Sequence, residues 1–154
     1  MVCTDIYAKL KQDHDRHRQL LKRIAEMHDT PDLRRDMLDE FRIEVTAHAA
    51  AEEETLYARM LAHPDLREAA QHSVAEHKEI DDRLVELSEQ DFGSDAWDEA
   101  FGTLRSRYEH HIEEEEEEVF SKAADMIEAK EEQRMAARFI DRKPRELRRA
   151  ANEP

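Results

Sequence analysis

Six histidine and glutamate residues carry the chemistry that this sequence offers, because imidazole and carboxylate groups are ligands for iron, manganese and zinc. In chain order they are His14, His48, Glu52, His77, His111 and Glu115. The last three repeat the first three at a constant interval of 63 residues. Two similar halves would each supply two histidines and one carboxylate. The repeat therefore predicts a site of approximate twofold symmetry, which suits two metal ions with bridging carboxylates.

The spacing within each half predicts that these residues lie on buried helix faces. His48 and Glu52 are four residues apart, as are His111 and Glu115, so each pair projects from one side of a helix. Apolar residues flank them at three- and four-residue steps, which is typical of a buried face. A buried imidazole or carboxylate without a partner is costly, and a shared metal would compensate. The competing interpretation is a metal-free bundle whose core histidines are hydrogen-bonded.

The elements that must position these residues are helices. Gly occurs twice and Pro four times, and residues that favour helices dominate the chain. Capping signals at Thr4 or Asp5, at Thr30 and at Ser94 predict helix starts. The predicted helices cover about residues 5–29, 31–63, 65–90 and 95–130. The predicted fold is all-α, an up-down-up-down antiparallel four-helix bundle with a short C-terminal helical extension.

The last part of the chain differs in charge from the rest. We assign residues 1–130 to the bundle and residues 131–154 to a basic C-terminal extension. Seven lysines and arginines lie between residues 134 and 149, against only Asp141 and Glu146. One interpretation is an extra helix that lies back on the acidic bundle. The other is a tail that binds a partner or nucleic acid.

Composition excludes several classes of function. The formal net charge is -15, which repels nucleic acid from the bundle and attracts cations. Two glycines leave no room for phosphate-binding loops. No apolar run predicts a membrane span, and no signal peptide is evident. The single cysteine, Cys3, fits a reducing compartment and is interpreted as incidental, so the expectation is a cytoplasmic monomer or homodimer.

The run from His48 to Tyr57 resembles the H-x-x-x-E-E-x-x-L-Y pattern of the hemerythrin-like HHE family, and the run from His111 to Phe120 repeats it. The flanks of His14 and His77 are similar to the single-histidine helices of that family. The resemblance covers about residues 5–125. It implies a non-haem di-iron centre with bridging carboxylates and terminal histidines. The implied bridges are Glu52 and Glu115, and the implied histidines are His14, His48, His77 and His111.

Two departures separate this chain from the oxygen-carrying hemerythrins. Ser73 stands where those proteins have a second histidine on the third helix, and the last helix has a His-x3-Glu pair in place of His-x4-Asp. The resemblance therefore implies one nitrogen ligand fewer and an open position for water, peroxide or oxygen. It favours peroxide turnover, as in the catalase-like branch, over reversible oxygen carriage. The absence of thiolates argues against copper(I) and structural zinc, whereas spacing alone does not separate iron from manganese.

Two further residues are predicted to act beside the metals. His17 follows His14 by three residues, and its counterpart in the repeat is the apolar Ile80. It is either a core histidine bonded to a carboxylate, or a seventh ligand or acid–base group. Tyr108 lies one turn before His111 and is a core aromatic, a hydrogen-bonding partner of a bound oxygen species, or a radical sink.

Three functions follow from this pattern. The first is a di-iron protein that reacts with hydrogen peroxide or oxygen and destroys peroxide. The second is an oxygen, iron or redox sensor or binding module without turnover, and the third is a charged bundle without metal.

Of the glutamates at 113–118, Glu114 and Glu118 are the candidates to orient histidines from outside the metal site.

Overall fold

A computed structural model describes residues 5–153 of the chain. The interpretations of Cys3 and of Thr4 as a cap lie outside the described residues. Within the described range the chain is helical and contains no strand. The helices are α1 (Ile6–Glu26), α2 (Pro31–Glu52), α3 (Ala58–Ala62), α4 (Arg67–Ser88), α5 (Asp95–Glu114), α6 (Phe120–Met126) and α7 (Ala129–Asn152). The predicted all-α bundle is confirmed.

The helix starts follow the capping signals in the sequence. The Asp5 side chain accepts a hydrogen bond from the Tyr7 amide at 3.0 Å, and Ser94 accepts one from the Trp97 amide at 3.1 Å. Thr30 precedes α2 in the N-cap position but makes no side-chain capping bond. Gly93 has a φ of 80°, a left-handed conformation that glycine adopts readily, and it separates α4 from α5.

Two π-helical turns interrupt the long helices, and the sequence pattern did not predict them. Residues Glu53–Tyr57 join α2 to α3, and Glu115–Val119 join α5 to α6. The first turn begins directly after Glu52 and the second begins at Glu115. Each turn contains one residue more than an α-helical turn, which changes the faces that neighbouring side chains occupy. Both bridging candidates therefore lie at a change of helix geometry.

The core consists of two apolar clusters with the ligand-type residues between them. One cluster joins the start of α1 with α3, α6 and α7, and the other joins the second half of α1 with α2, α4 and α5. Along α1, His14 lies between Leu10 in the first cluster and Leu20 in the second. Packing on both sides fixes the helices that carry the site.

Helix α7 lies against α2 and extends the core. Its buried side chains include Met135, Ala136 and Phe139, all of which belong to the first apolar cluster. Its basic residues contact acidic groups of the bundle, as when Lys143 Nζ lies 2.7 Å from Asp13 Oδ2. The segment thus adopts the arrangement of an extra helix lying back on the bundle. Within residues 5–153 no helix is long and apolar enough to cross a membrane.

Candidate metal centre

The structure brings all six ligand-type residues together in the middle of the bundle. They form two groups whose ligand atoms lie within 4.8 Å of one another, and every member is buried. The first group contains His14 and His48, and the second contains His77 and His111. Both groups share Glu52 and Glu115. We call the places between each histidine pair and these glutamates the first and the second metal position.

Each central carboxylate faces both metal positions. Glu115 Oε1 lies 3.0 Å from His14 Nε2, and Glu115 Oε2 lies 3.2 Å from His111 Nε2. Glu52 Oε2 lies 3.6 Å from His48 Nε2, and Glu52 Oε1 lies 3.2 Å from His77 Nε2. All four histidines therefore direct Nε2 inwards, and each glutamate has one oxygen towards a histidine of each pair.

Several buried atoms of the centre have no hydrogen-bond partner among the described residues. They are Nε2 of His14 and His48, both oxygens of Glu52, and Oε1 of Glu115. Buried polar atoms are nearly always satisfied, so a concentration of exceptions indicates an additional group. Neutral imidazole nitrogens and carboxylate oxygens are suitable ligands for iron or manganese. The residues present thus fit two cations with shared carboxylates.

A carboxylate binds the outer nitrogen of every one of these histidines. The Nδ1 atoms of His48 and His111 lie 2.9 Å from Asp13 Oδ2 and 2.9 Å from Glu76 Oε1. Those of His14 and His77 lie 2.7 Å from Glu116 Oε2 and 3.0 Å from Glu53 Oε2. Such bonds fix the tautomer and orientation of a metal-ligating histidine.

These outer carboxylates obey the same 63-residue repeat as the ligands. Asp13 corresponds to Glu76, and Glu53 corresponds to Glu116. The repeat is visible in the sequence, but Glu114 and Glu118 were the residues predicted for this role. Glu114 instead pairs with His72 and His110 at the surface, at 3.3 Å and 3.5 Å. The repeat itself was the signal that could have found the correct residues.

Charge and burial shift the pKa values of the central groups in opposite directions. Burial lowers the pKa of His14, but the neighbouring carboxylates of Glu115 and Glu116 outweigh it and raise that pKa to about 9. Burial also lowers the pKa of His111, but the charge of Glu115 and hydrogen bonds with Glu115 and Glu76 raise it to about 9. Burial raises the pKa of Glu115, whereas His111 and its neighbours hold it well below its usual range. A cation would replace protons here, because ligand nitrogens must be deprotonated.

Tyr57 is a further residue of the centre that sequence reasoning did not single out. Its buried hydroxyl donates a hydrogen bond to Glu115 Oε2, and its ring centroid lies 5.7 Å from that of His77. The counterpart of Tyr57 in the repeat is Phe120, which has no hydroxyl. The two halves of the site are therefore not chemically identical. The signal was the final tyrosine of the H-x-x-x-E-E-x-x-L-Y run.

His17 and Tyr108 form a buried pair beside the centre. His17 Nδ1 lies 2.6 Å from the Tyr108 hydroxyl, and the His17 ring centroid is 5.3 Å from that of His48. The partner of His17 is thus a tyrosine, not the carboxylate that one interpretation required. Its Nε2 atom is buried and has no partner among residues 5–153, yet His17 belongs to neither ligand group. Burial, and then the charges of His48 and His14, hold the pKa of His17 well below its usual range.

A small cavity of about 10 Å³ adjoins the centre. Its walls include Tyr108, His77 and His111, together with the apolar Val45 and Ile80. A space of this size is about that needed for one water molecule. A molecule of the size of water therefore has a place beside His48, His77 and His111.

Comparisons with known proteins give a matching family model and a similar fold. The model of the Hemerythrin HHE cation binding domain matches residues 5–123. The fold is similar to the crystal structure of a Hemerythrin HHE cation binding domain-containing protein from Mycobacterium kansasii, with a TM-score of 0.84. That likeness covers 95% of this chain and 89% of that chain at 21% sequence identity, so it shows the fold alone. Curated protein sequences gave no significant match.

Proposed function

Because the chain belongs to the Hemerythrin HHE cation binding domain family, we propose that it binds two iron ions and destroys hydrogen peroxide. The observation that carries the proposal is the pair of buried ligand groups that share Glu52 and Glu115. A single cation would leave one histidine pair without a role. Two cations would use both pairs and satisfy the unpartnered atoms between them.

The proposed ligands are the six residues that the repeat relates. His14 and His48 would bind the first ion, and His77 and His111 the second. Glu52 and Glu115 would bridge the two ions, since each has an oxygen near both histidine pairs. Manganese is the alternative metal, because the same nitrogen and oxygen ligands suit it.

Two iron ions that alternate between ferrous and ferric states would supply and recover the two electrons that convert hydrogen peroxide to water or to oxygen. The chain's own residues must then bind peroxide and move its protons. The cavity beside Tyr108 and His111 holds about one water molecule, and binding of the larger peroxide would require it to widen. Val45 and Ile80 supply its apolar walls.

His17 is the proposed proton carrier. The low pKa keeps its imidazole neutral at pH 7, and Nε2 has no protein partner in the described chain. A neutral imidazole can accept a proton at one nitrogen while the other bonds to the Tyr108 hydroxyl at 2.6 Å. The corresponding positions in the other half are the apolar Ile80 and Val45, which have no group that moves protons. This asymmetry favours proton-coupled peroxide chemistry over storage of intact oxygen.

The alternative function is an oxygen, iron or redox sensor that binds metal without turnover. One observation favours it: α7 reaches the centre, because Lys143 contacts the Asp13 carboxylate that orients His48. A change of charge at the metals could then alter the packing of α7. The same centre would then sense oxygen, iron or redox state and would not catalyse a reaction.

The test is to load the protein anaerobically with ferrous iron, remove excess metal, and measure iron per chain and oxygen release from peroxide. We expect about two irons per chain and steady oxygen release. Glu52→Gln and Glu115→Gln should lose the bound iron and the oxygen release. Glu117→Gln, an exposed change in the same acidic run, should retain both. Two irons without oxygen release would favour the sensor. No bound iron would contradict the di-iron proposal.

A further inference from the structure

We propose that Lys143 and Arg18 make the two metal positions electrostatically unequal, so that ferrous iron binds more tightly at the second metal position than at the first. The inference rests on the di-iron function proposed above and deepens it. Its basis is the distribution of fixed charges around the carboxylates that hold the four histidines.

Lys143 supplies the first of these charges. It extends from α7, and its Nζ lies 2.7 Å from Asp13 Oδ2, the same oxygen that lies 2.9 Å from His48 Nδ1. Both the lysine and the aspartate side chains are largely buried, at 12% and 11% exposure. Water therefore screens this ammonium group only weakly. Since α7 lies outside the 63-residue repeat, Lys143 has no counterpart at the second metal position.

Arg18 supplies the second charge, on the other histidine of the same position. Its guanidinium lies 2.8 Å from Glu116 Oε2, and that oxygen lies 2.7 Å from His14 Nδ1. The counterpart of Arg18 in the repeat is Asp81, a residue of opposite charge. Asp81 is exposed and lines the small cavity together with His77.

The carboxylates of the second metal position have no such cations. Within residues 5–153, neither Glu53 nor Glu76 forms an ion pair with a lysine or arginine. Glu53 contacts His77, and Glu76 contacts His111 and the exposed His72. The repeat thus reproduces the ligands and their carboxylates but reverses the charge around them.

This reversal affects metal binding in two ways. A carboxylate that orients a ligand histidine strengthens the donation from that histidine, and a cation on the carboxylate weakens this effect. A nearby fixed positive charge also repels the metal ion directly, most strongly where water is excluded. Both effects weaken binding at the first metal position, and Asp81 strengthens it at the second.

The experiment is an anaerobic calorimetric titration of the full-length protein with ferrous iron. We expect two resolved binding steps that differ at least about tenfold in affinity, the scale of effects from groups that support metal ligands. His14→Ala should remove the weaker step, and His77→Ala should remove the tighter one. Lys143→Met should strengthen the weaker step by about tenfold and leave the tighter step nearly unchanged.

Matched variants separate charge from packing. Lys143→Arg keeps the charge and should keep the difference between the two steps. Arg145→Met, an exposed change on the same helix, should change neither step. A purely structural role for Lys143 would lower thermal stability while shifting both steps together or neither, and that result would overturn the inference.

A second route covers the case in which Lys143→Met fails to fold. Arg18 is partly exposed, and Arg18→Met should also strengthen only the weaker step, whereas Arg16→Met on the same helix should not. If two irons bind but neither Lys143→Met nor Arg18→Met reduces the difference in affinity between the two steps, the inference fails and the di-iron proposal stands. Fewer than two irons in the unmodified protein would overturn both.

Discussion

At the residue scale, the four ligand-type histidines use both ring nitrogens. Nε2 faces the two central glutamates, while Nδ1 bonds to a carboxylate from another helix, as His48 does to Asp13 at 2.9 Å. Each ring can therefore neither flip nor rotate without losing a charge-assisted bond that is at least partly buried. The ligand geometry is set before a metal arrives, which reduces the reorganisation needed on binding.

His17 provides the sharpest residue-scale prediction. His17→Leu should keep about two irons per chain but lower the peroxide kcat by about 100-fold, the smaller end of the effect of a general acid–base group. The leucine resembles the Ile80 side chain found at the equivalent position, so folding should survive. Oxygen release and iron content are measured on the same preparation. His110→Leu, which alters an exposed histidine, is the control.

An unchanged kcat in His17→Leu would remove the proposed proton carrier while leaving the metal site intact. A loss of iron would instead make His17 a seventh ligand. Tyr108→Phe removes the hydroxyl that lies 2.6 Å from His17 Nδ1 and should give a smaller fall in kcat.

At the element scale, helix α7 connects the surface of the bundle to the site. Phe139 is fully buried in the first apolar cluster, and its ring centroid lies 6.0 Å from that of His48. Lys143, one turn further along α7, contacts Asp13. The helix thus packs against the candidate ligand His48 and neutralises an outer carboxylate from the same face.

Removal of the Phe139 ring tests whether α7 belongs to the core. Phe139→Ala should lower the free energy of unfolding by about 3–5 kcal/mol, because it deletes a fully buried aromatic side chain. Ile140→Ala, at a position 45% exposed, should change it by less than about 0.5 kcal/mol. Urea unfolding followed by circular dichroism gives both values. Equal and small decreases in the free energy of unfolding of the two variants would mean that α7 is only loosely packed on the bundle.

At the scale of the whole molecule, the site is a charged layer between two apolar clusters. The clusters stabilise the bundle, whereas the buried Glu52 and Glu115 carboxylates oppose folding unless their charge is compensated. A metal that binds only the folded chain therefore shifts the whole folding equilibrium. The acidic surface, with a net charge of -15, favours the approach of cations.

Iron should accordingly stabilise the protein by mass action. At a free ferrous concentration 100 times the Kd, each site adds about 2.7 kcal/mol to the free energy of unfolding. Anaerobic thermal melts should show a Tm that rises with iron concentration and falls back when a chelator is added. Glu115→Gln should lose most of this dependence. A Tm that is independent of iron would indicate a bundle that needs no metal.

Much of the fold and of the candidate site was predictable from local sequence. Helical periodicity placed His48 and Glu52 on one buried face, because residues four apart meet on an α-helix. The 63-residue repeat then related His14 to His77, and the structure brings all six residues together. Cap residues such as Asp5 and Ser94 marked helix starts. The periodicity and the caps depend on neighbours within a few turns, and the repeat is visible when the two halves of the chain are compared, so the sequence expresses all three directly.

The contacts between helices were decided only by the tertiary structure. The π turn that begins at Glu115 changes the helix phase there, and Glu116 rather than Glu114 or Glu118 contacts His14. The packing of α7 on α2 brings Lys143 to Asp13 across 130 positions of sequence. No local periodicity encodes such contacts, because they depend on how separate helices are rotated and packed together. The sequence determined which groups could bind metal, and packing decided the charges that surround each of them.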